Sequence, residues 1–236
     1  MKIACKPDGT AIESNSVDWM LARAGIPTAS EFDALVTPLF EPRKGEMPKT
    51  YLAKKVAERW SGGPLADFNT FDVEMGNILE REAKPWYSLE FSETIQNVGF
   101  ITTDDGRVGC SPDGLIEDNC GIEIKCPAVH THVSYLLKGE LPKDYSAQVH
   151  GSLYVTGRDM WRFLSYRRHF PPLLITVERD DKIIAVLDEV LRSFNEQLDA
   201  AMKRLEEING GPPRRKPLEY SRPAPSQEEF MSEMPS

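Results

Sequence analysis

Between Gly109 and Pro127 the chain reads GCSPDGLIEDNCGIEIKCP, and three of its residues, Asp113, Glu123 and Lys125, have the types and spacing to act together. A strand sends successive side chains to opposite faces, so Glu123 and Lys125 share one side of a half-buried hairpin while Ile122, Ile124 and Cys126 share the other. If the reversal DNCG (118–121) folds the chain back, Asp113 returns beside Glu123. Two carboxylates at that distance repel, and at least one pKa rises unless a cation separates them. Oxygen donors without a convergent His or Cys point to Mg²⁺ or Mn²⁺ and away from zinc. Such an ion can hold a phosphate oxygen, lower the pKa of a bound water and stabilise a leaving 3′ oxygen. Lys125, a compact cation beside the pair, could orient or activate the water and offset charge on the phosphorane. The same spacing also describes a solvated carboxylate–lysine network on a hairpin surface, which contributes little energy.

The elements that must hold these residues follow from periodicity and punctuation. TIQNVGFITT (94–103), GRVGCSPDGLIED (106–118) and CGIEIKCP (120–127), separated by DDG and DNCG, predict a meander of strands. A helix is predicted over roughly 69–87 from the spacing of Phe71, Met75, Ile78, Leu79, Ala83 and Trp86, and it carries Glu80 and Glu82. Upstream, Thr28 or Ser30 caps a short helix, residues 37–49 form a Pro-rich loop that frees Arg43, Lys44 and Lys49 to reach a ligand, and a helix spans 49–60. Downstream come a polar loop, a helix over 144–157, strands in MWRFLSYR and LLITVERD, and one long amphipathic helix over 180–208 closed by NGG. The pattern predicts an α/β protein: an N-terminal extension over 1–16, one domain over 17–210 and a Pro-rich tail over 211–236.

The chain has 236 residues, 40% of them hydrophobic, enough for a substantial core. Its formal charge of −9 argues against a protein that coats nucleic acid, because such binding relies on cations that neutralise phosphates. An acidic balance is compatible with an enzyme that carries its own carboxylates for metal ions, and it leaves room for a local basic channel. No long apolar run and no leader-like segment occurs, so a soluble cytoplasmic protein without membrane partners is expected. Cys5, Cys110, Cys120 and Cys126 lack paired zinc spacing and read as free thiols, with an iron–sulfur cluster as the alternative.

Five ordered blocks, WMLARAGIPTAS (19–30), GNILEREA (76–83), GCSPDGL (109–115), GIEIKCP (121–127) and YSAQVHGSLYVTG (145–157), resemble the bacteriophage lambda exonuclease family, also called YqaJ-type viral recombinases, over roughly residues 17–208. The resemblance implies the PD-(D/E)xK restriction-endonuclease-like fold, with a central mixed β-sheet flanked by helices. It implies that Asp113, Glu123 and the backbone carbonyl of Ile124 ligate two Mg²⁺ ions, that Glu80 reaches them directly or through water, and that Lys125 is the catalytic lysine. Arg23 and Ser30 match the anchor of a DNA 5′ phosphate, a role that suits a planar guanidinium and a helix start. Ser111 is implied as a phosphate contact, and Gln148 as the holder of the attacking water or a scissile phosphate oxygen. Tyr145 is a weaker candidate beside it, Arg43 lies on a loop that approaches DNA, and His130, His132, His150 and His169 receive no role.

By the same resemblance the chain is expected to digest one strand of linear double-stranded DNA from 5′-phosphorylated ends in the 5′→3′ direction. It would release 5′ mononucleotides and leave 3′ single strands for phage-type recombination. A homotrimeric ring and a single-strand annealing protein as partner, in a bacterial host, are implied with it. The alternatives are a structure-specific or restriction-like endonuclease on the same fold, a non-catalytic DNA-end binding module, and an iron–sulfur nuclease.

Overall fold

The segment CGIEIK is the axis of the molecule. In the computed structural model, which describes residues 1–5, 10–65 and 71–211, it forms strand β6 (Cys120–Lys125) at the centre of a five-stranded sheet. Its neighbours are β2 (Ile95–Gln96), β5 (Gly114–Ile116), β7 (Met160–Ser165) and β8 (Leu173–Glu178), in the order β2-β5-β6-β7-β8. Strands β6 and β7 run parallel, with Glu123 opposite Phe163 and Lys125 opposite Ser165, and every other pairing is antiparallel. A parallel pair needs a crossover, here supplied by α4 (Val129–Lys138) and α5 (Lys143–Thr156).

Both faces of this sheet are covered. Helix α3 (Phe71–Phe91) packs Ala83 and Tyr87 on Ile116, Ile122, Ile124 and Leu164. On the other face α5 and the long α6 (Asp181–Asn209) enclose Leu115, Trp161 and Phe163, with Leu153, Leu187 and Leu191 among their contacts. Gly121 serves that face, because a Cβ there would meet the Trp161 ring at 2.3 Å. The paired strands of the hairpin, residues 114–116 and 120–124, are therefore buried on both faces where the sequence predicts a half-buried hairpin, while its turn at 117–119 stays exposed. Glu123 is 2% exposed, and the reason is that α5 brings Gln148 and Tyr145 over the side that alternation assigns to solvent.

The remaining elements are α1 (Val17–Arg23), a 3₁₀ helix (Ala29–Ala34), α2 (Glu46–Ser61) and a small sheet of β1 (Lys2–Ile3), β3 (Ile101–Thr102) and β4 (Gly109–Cys110). Several expectations are corrected here. The fold starts before Val17, since Lys2 and Ile3 pair with Thr102 and Ile101 and Ile12 is buried. The predicted strands over 94–103 and 106–118 each split between the two sheets, interrupted by a bend at Gly99 and by Pro112 with the bend that follows it at Asp113. The helix after Thr28 is 3₁₀, and Thr28 flanks it without a side-chain cap bond.

The predicted polar loop after β6 contains α4. Its anchor is His132, wholly buried, with Nδ1 2.7 Å from Ser165 Oγ and Nε2 3.0 Å from the Pro171 carbonyl. Helices α2, α3, α5 and α6 fall where periodicity places them, and Asp180 caps α6 by accepting from the Lys182 amide. The predicted tail lies, from residue 212 onward, outside the described residues. No described helix is long and apolar enough to cross a membrane.

Candidate active site

The carboxylate pair forms where β5 begins and β6 ends. The Asp113 amide donates to the Ile122 carbonyl at 3.2 Å, and Asp113 Oδ2 accepts from the Ile124 amide at 2.5 Å, so the backbone of β6 itself aims this side chain. An N–H and C=O of one strand residue face the same neighbour, which puts the Ile124 carbonyl on the Asp113 side. Glu123 projects from the opposite side of the sheet from Ile124. Its Oε1 accepts from Lys125 Nζ and from Gln148 Nε2, each at 2.6 Å, and its Oε2 is buried without a partner among the described residues. Gln148 comes from α5, and Lys125 lies 5.2 Å from the centre of the Tyr145 ring on the same helix.

The electrostatics follow from that enclosure. Burial pushes the Asp113 carboxyl well above the usual range, and the charges of Glu123 and Glu80 add to the effect. Burial also raises Glu123, against the pull of Lys125 and the Gln148 amide. For Lys125, burial opposes the ammonium, but Glu123 and Asp113 outweigh it and hold the proton on. Burial, Glu80 and Asp113 push the neighbouring Cys126 thiol up to about 12, so it is no nucleophile at neutral pH. Glu80 itself is paired with Lys84 at 3.1 Å, one helical turn on.

Among the described residues no three His, Cys, Asp or Glu side chains gather as a ligand set. The donors on offer are two carboxylates and a backbone carbonyl, with one orphaned carboxylate oxygen. That set fits Mg²⁺ or Mn²⁺, which use one or two carboxylates and complete their shells with water and substrate phosphate. All four cysteines are free thiols, Cys110 and Cys120 buried and Cys5 exposed.

A second cluster lies at the other end of the connection from β4 to β5. A bridge between Thr28 and Gly109, with the Gly109 amide donating to the Pro27 carbonyl at 3.0 Å, sets the loop after α1 against β4. Arg23 then donates through Nη1 to Ser111 Oγ at 2.8 Å and through Nη2 to Ser30 Oγ at 3.2 Å. Its guanidinium lies 4.2 Å from the centre of the Trp19 ring, and the Trp19 indole N–H also donates to Ser111 Oγ at 2.9 Å. Sequence reasoning missed Trp19, although its position one helical turn before Arg23 is the signal that could have found it.

Arg23, Ser30 and Ser111 are thus brought together, as are Asp113, Glu123, Lys125 and Gln148, with Glu80 at their margin. Arg43 joins neither group. Its Nε donates to the Asp33 carbonyl at 2.7 Å, which fastens the loop to the 3₁₀ helix. Lys49, also expected on that loop, lies in α2 and pairs with Glu46 at 2.8 Å.

Comparison with known proteins adds the following. Residues 18–159 match the family profile of the YqaJ-like viral recombinase domain. An alkaline exonuclease from Laribacter hongkongensis, LHK-Exo, is 29% identical and similar in structure, with a TM-score of 0.74 over 83% of this chain and 98% of its own. The structure of LHK-Exo in complex with dAMP gives 0.75 over the same shares. A phage related exonuclease from Haemophilus somnus 129PT, 13% identical, shares the fold with a TM-score of 0.60 over 76% of this chain and 96% of its own. ExoD of Escherichia coli (strain K12) is 36% identical over 64 residues, 26% of this chain and 74% of that one. The mixed sheet flanked by helices is the PD-(D/E)xK architecture expected from the sequence.

Proposed function

This chain belongs to the YqaJ-like viral recombinase family, and on that premise we propose that it is a Mg²⁺-dependent 5′→3′ exonuclease of linear double-stranded DNA. A nuclease of the hydrolase class is what its alkaline exonuclease relatives support. The finer reading is that it starts at 5′-phosphorylated ends, releases 5′ mononucleotides and leaves a 3′ single strand for recombination. One observation carries it: Ser111, bonded to Arg23, and Asp113, bonded to Ile124, are joined through Pro112 alone. Two residues of chain span at most about 7 Å, so a phosphate held by Arg23 fixes which phosphodiester meets the carboxylates.

In this reading Arg23 binds the terminal phosphate with two donors, and the Ser30 and Ser111 hydroxyls, now accepting from it, turn to the same anion. Asp113, Glu123 and the Ile124 carbonyl would hold two Mg²⁺ ions, with Glu80 reaching them directly or through water, and Mn²⁺ suits the same donors. Bound there, the cations supply Lewis acidity to the phosphoryl oxygens and acidify water. Gln148, fixed by its N–H on Glu123, keeps its carbonyl oxygen to accept from the attacking water. Lys125, which the metal-free site holds protonated, is placed to oppose the negative charge that builds on phosphorus. Each cut leaves a new 5′ phosphate for the vacated pocket, which favours stepwise digestion with a fixed product length. A trimeric ring in a host cytoplasm and a partner that anneals the exposed strand complete the proposal.

The test is nucleotide release from linear duplexes ending in 5′ phosphate or 5′ hydroxyl and from closed circles, with Mg²⁺. Phosphorylated ends are expected to be digested fastest and circles left intact. Arg23→Ala is expected to cost about tenfold or more on phosphorylated ends and little on hydroxyl ends. Cleavage of circles would instead favour an endonuclease, and equal rates on both ends in the parent would remove the pocket from the account.

A further inference from the structure

Among the described residues Arg23 contacts two hydroxyls and the Trp19 ring and forms no ion pair, which is unusual for so enclosed a guanidinium. A carboxylate is nevertheless close at hand. Ser30 Oγ, 3.2 Å from Arg23, lies 3.4 Å from Thr28 Oγ1, and that hydroxyl donates to Glu31 Oε2 at 3.2 Å. Of the acidic groups around Arg23, Glu31 attracts its charge most strongly.

Two lysines of α2 hold Glu31. Lys54 Nζ pairs with Oε1 at 2.8 Å and Lys55 Nζ with Oε2 at 3.0 Å. Lys55 is 3% exposed and is fixed from behind by Glu58 at 3.0 Å, whose carboxylate also accepts from the Gly25 amide at 2.8 Å. Gly25 belongs to the turn that follows Arg23, so the clamp is tied to the loop it serves. Trp19, Arg23, Glu31, Lys54, Lys55 and Glu58 line one cavity of about 310 Å³. An apolar side chain of similar volume would be less costly to bury than Lys55, so packing does not explain its charge. Burial alone would raise the Glu31 carboxyl, but Lys55 and Lys54 keep it at about 2. It is anionic at any working pH, and it is held by the two lysine cations together with the Thr28 hydroxyl.

We propose that Lys55, with Lys54 outside it, is a positioning residue that keeps Glu31 away from Arg23, so that the guanidinium remains open to a terminal phosphate. A released carboxylate offers the same two-oxygen geometry that a phosphate offers and would close the pocket from within. Selection for phosphorylated ends then depends on a clamp in α2 that never touches DNA. This inference rests on the assignment of Arg23 as the 5′-phosphate anchor.

The experiment compares kcat and KM on linear duplexes with 5′ phosphate and 5′ hydroxyl ends for the parent, Lys55→Met, Glu31→Gln and the double variant. Lys55→Met is expected to lose about tenfold of the phosphate preference, in KM for phosphorylated ends, with turnover on hydroxyl ends unmoved. Glu31→Gln is expected to keep the preference at or above the parental level and, in the double variant, to restore most of what Lys55→Met removes. An unchanged preference in Lys55→Met overturns the inference, and so does a lost preference that the double variant fails to regain. A parent without preference, or an Arg23→Ala variant that keeps it, instead removes the reading on which the inference rests. If Lys55→Met gives no cooperative unfolding transition, Lys54→Ala decides, because that side chain is 37% exposed and its loss leaves the core intact. A fall of about threefold that Glu31→Gln reverses supports the clamp, and an unchanged preference overturns it.

Discussion

Asp113→Asn is expected to lower nucleotide release by at least about four decades, while making the chelated protein more heat-stable than its parent at alkaline pH. The two effects share one cause. An amide oxygen can still accept from the Ile124 amide as Asp113 Oδ2 does at 2.5 Å, so the hairpin keeps its shape. What disappears is a negative charge that a cation needs and that the metal-free fold does not. Burial, Glu123 and Glu80 hold the Asp113 carboxyl well above its usual range, and burial raises Glu123 as well. A carboxyl whose folded-state pKa exceeds its unfolded value, roughly 4, adds stability below that value and loses it as pH rises through the folded one. The chelated parent therefore weakens as pH climbs, and the variant, with one charge fewer, weakens less. Calorimetric melting in chelator at pH 6 and 9 (~3 pH units apart), beside a release assay, checks both halves. Parental release rates would refute Asp113 as a ligand, and a variant that melts below its parent at the higher pH would refute the repulsion.

Lys125→Met is expected to slow single-turnover cleavage by about three decades, with metal uptake nearly intact. Lys125 lies 2.6 Å from Glu123 Oε1, and Glu123 and Asp113 overcome its burial to keep it protonated. In the metal-free protein a lysine held in that state does not accept a proton from water, and the expected loss is that of its electrostatic role. Methionine fills similar space and leaves Glu123 with the Gln148 bond at 2.6 Å. The pH profile of the parent should then show no titration of an amine near neutrality. A rate within tenfold of the parent (~1.4 kcal/mol) would contradict this role, and so would a loss of metal binding as deep as that of Asp113→Asn.

The placement of the site's residues was more legible in the sequence than their surroundings. The alternation in CGIEIK and the reversal at DNCG place Asp113 beside Glu123 because strand geometry is local, and the long helix α6 follows from sustained periodicity for the same reason. Burial of Glu123 was not legible, since it depends on α5, which returns to the sheet only through a crossover. Helix α4 was hidden because His132 looks polar in sequence and becomes an interior residue only against Ser165 and Pro171, more than thirty residues away. The start of the fold was missed for a similar reason: Lys2 and Ile3 have no local pattern, and their partners lie near residue 101. The bond from Arg43 Nε to the Asp33 carbonyl was not legible either, since loop composition says nothing of which backbone a side chain meets.

The most direct measurement is Mn²⁺ uptake followed by electron paramagnetic resonance, with the parent beside the Asp113→Asn/Glu123→Gln double variant. The account predicts that the parent takes up about two ions per chain and that the double variant takes up none at the same concentration. Equal uptake by both proteins, or none by the parent, would contradict it.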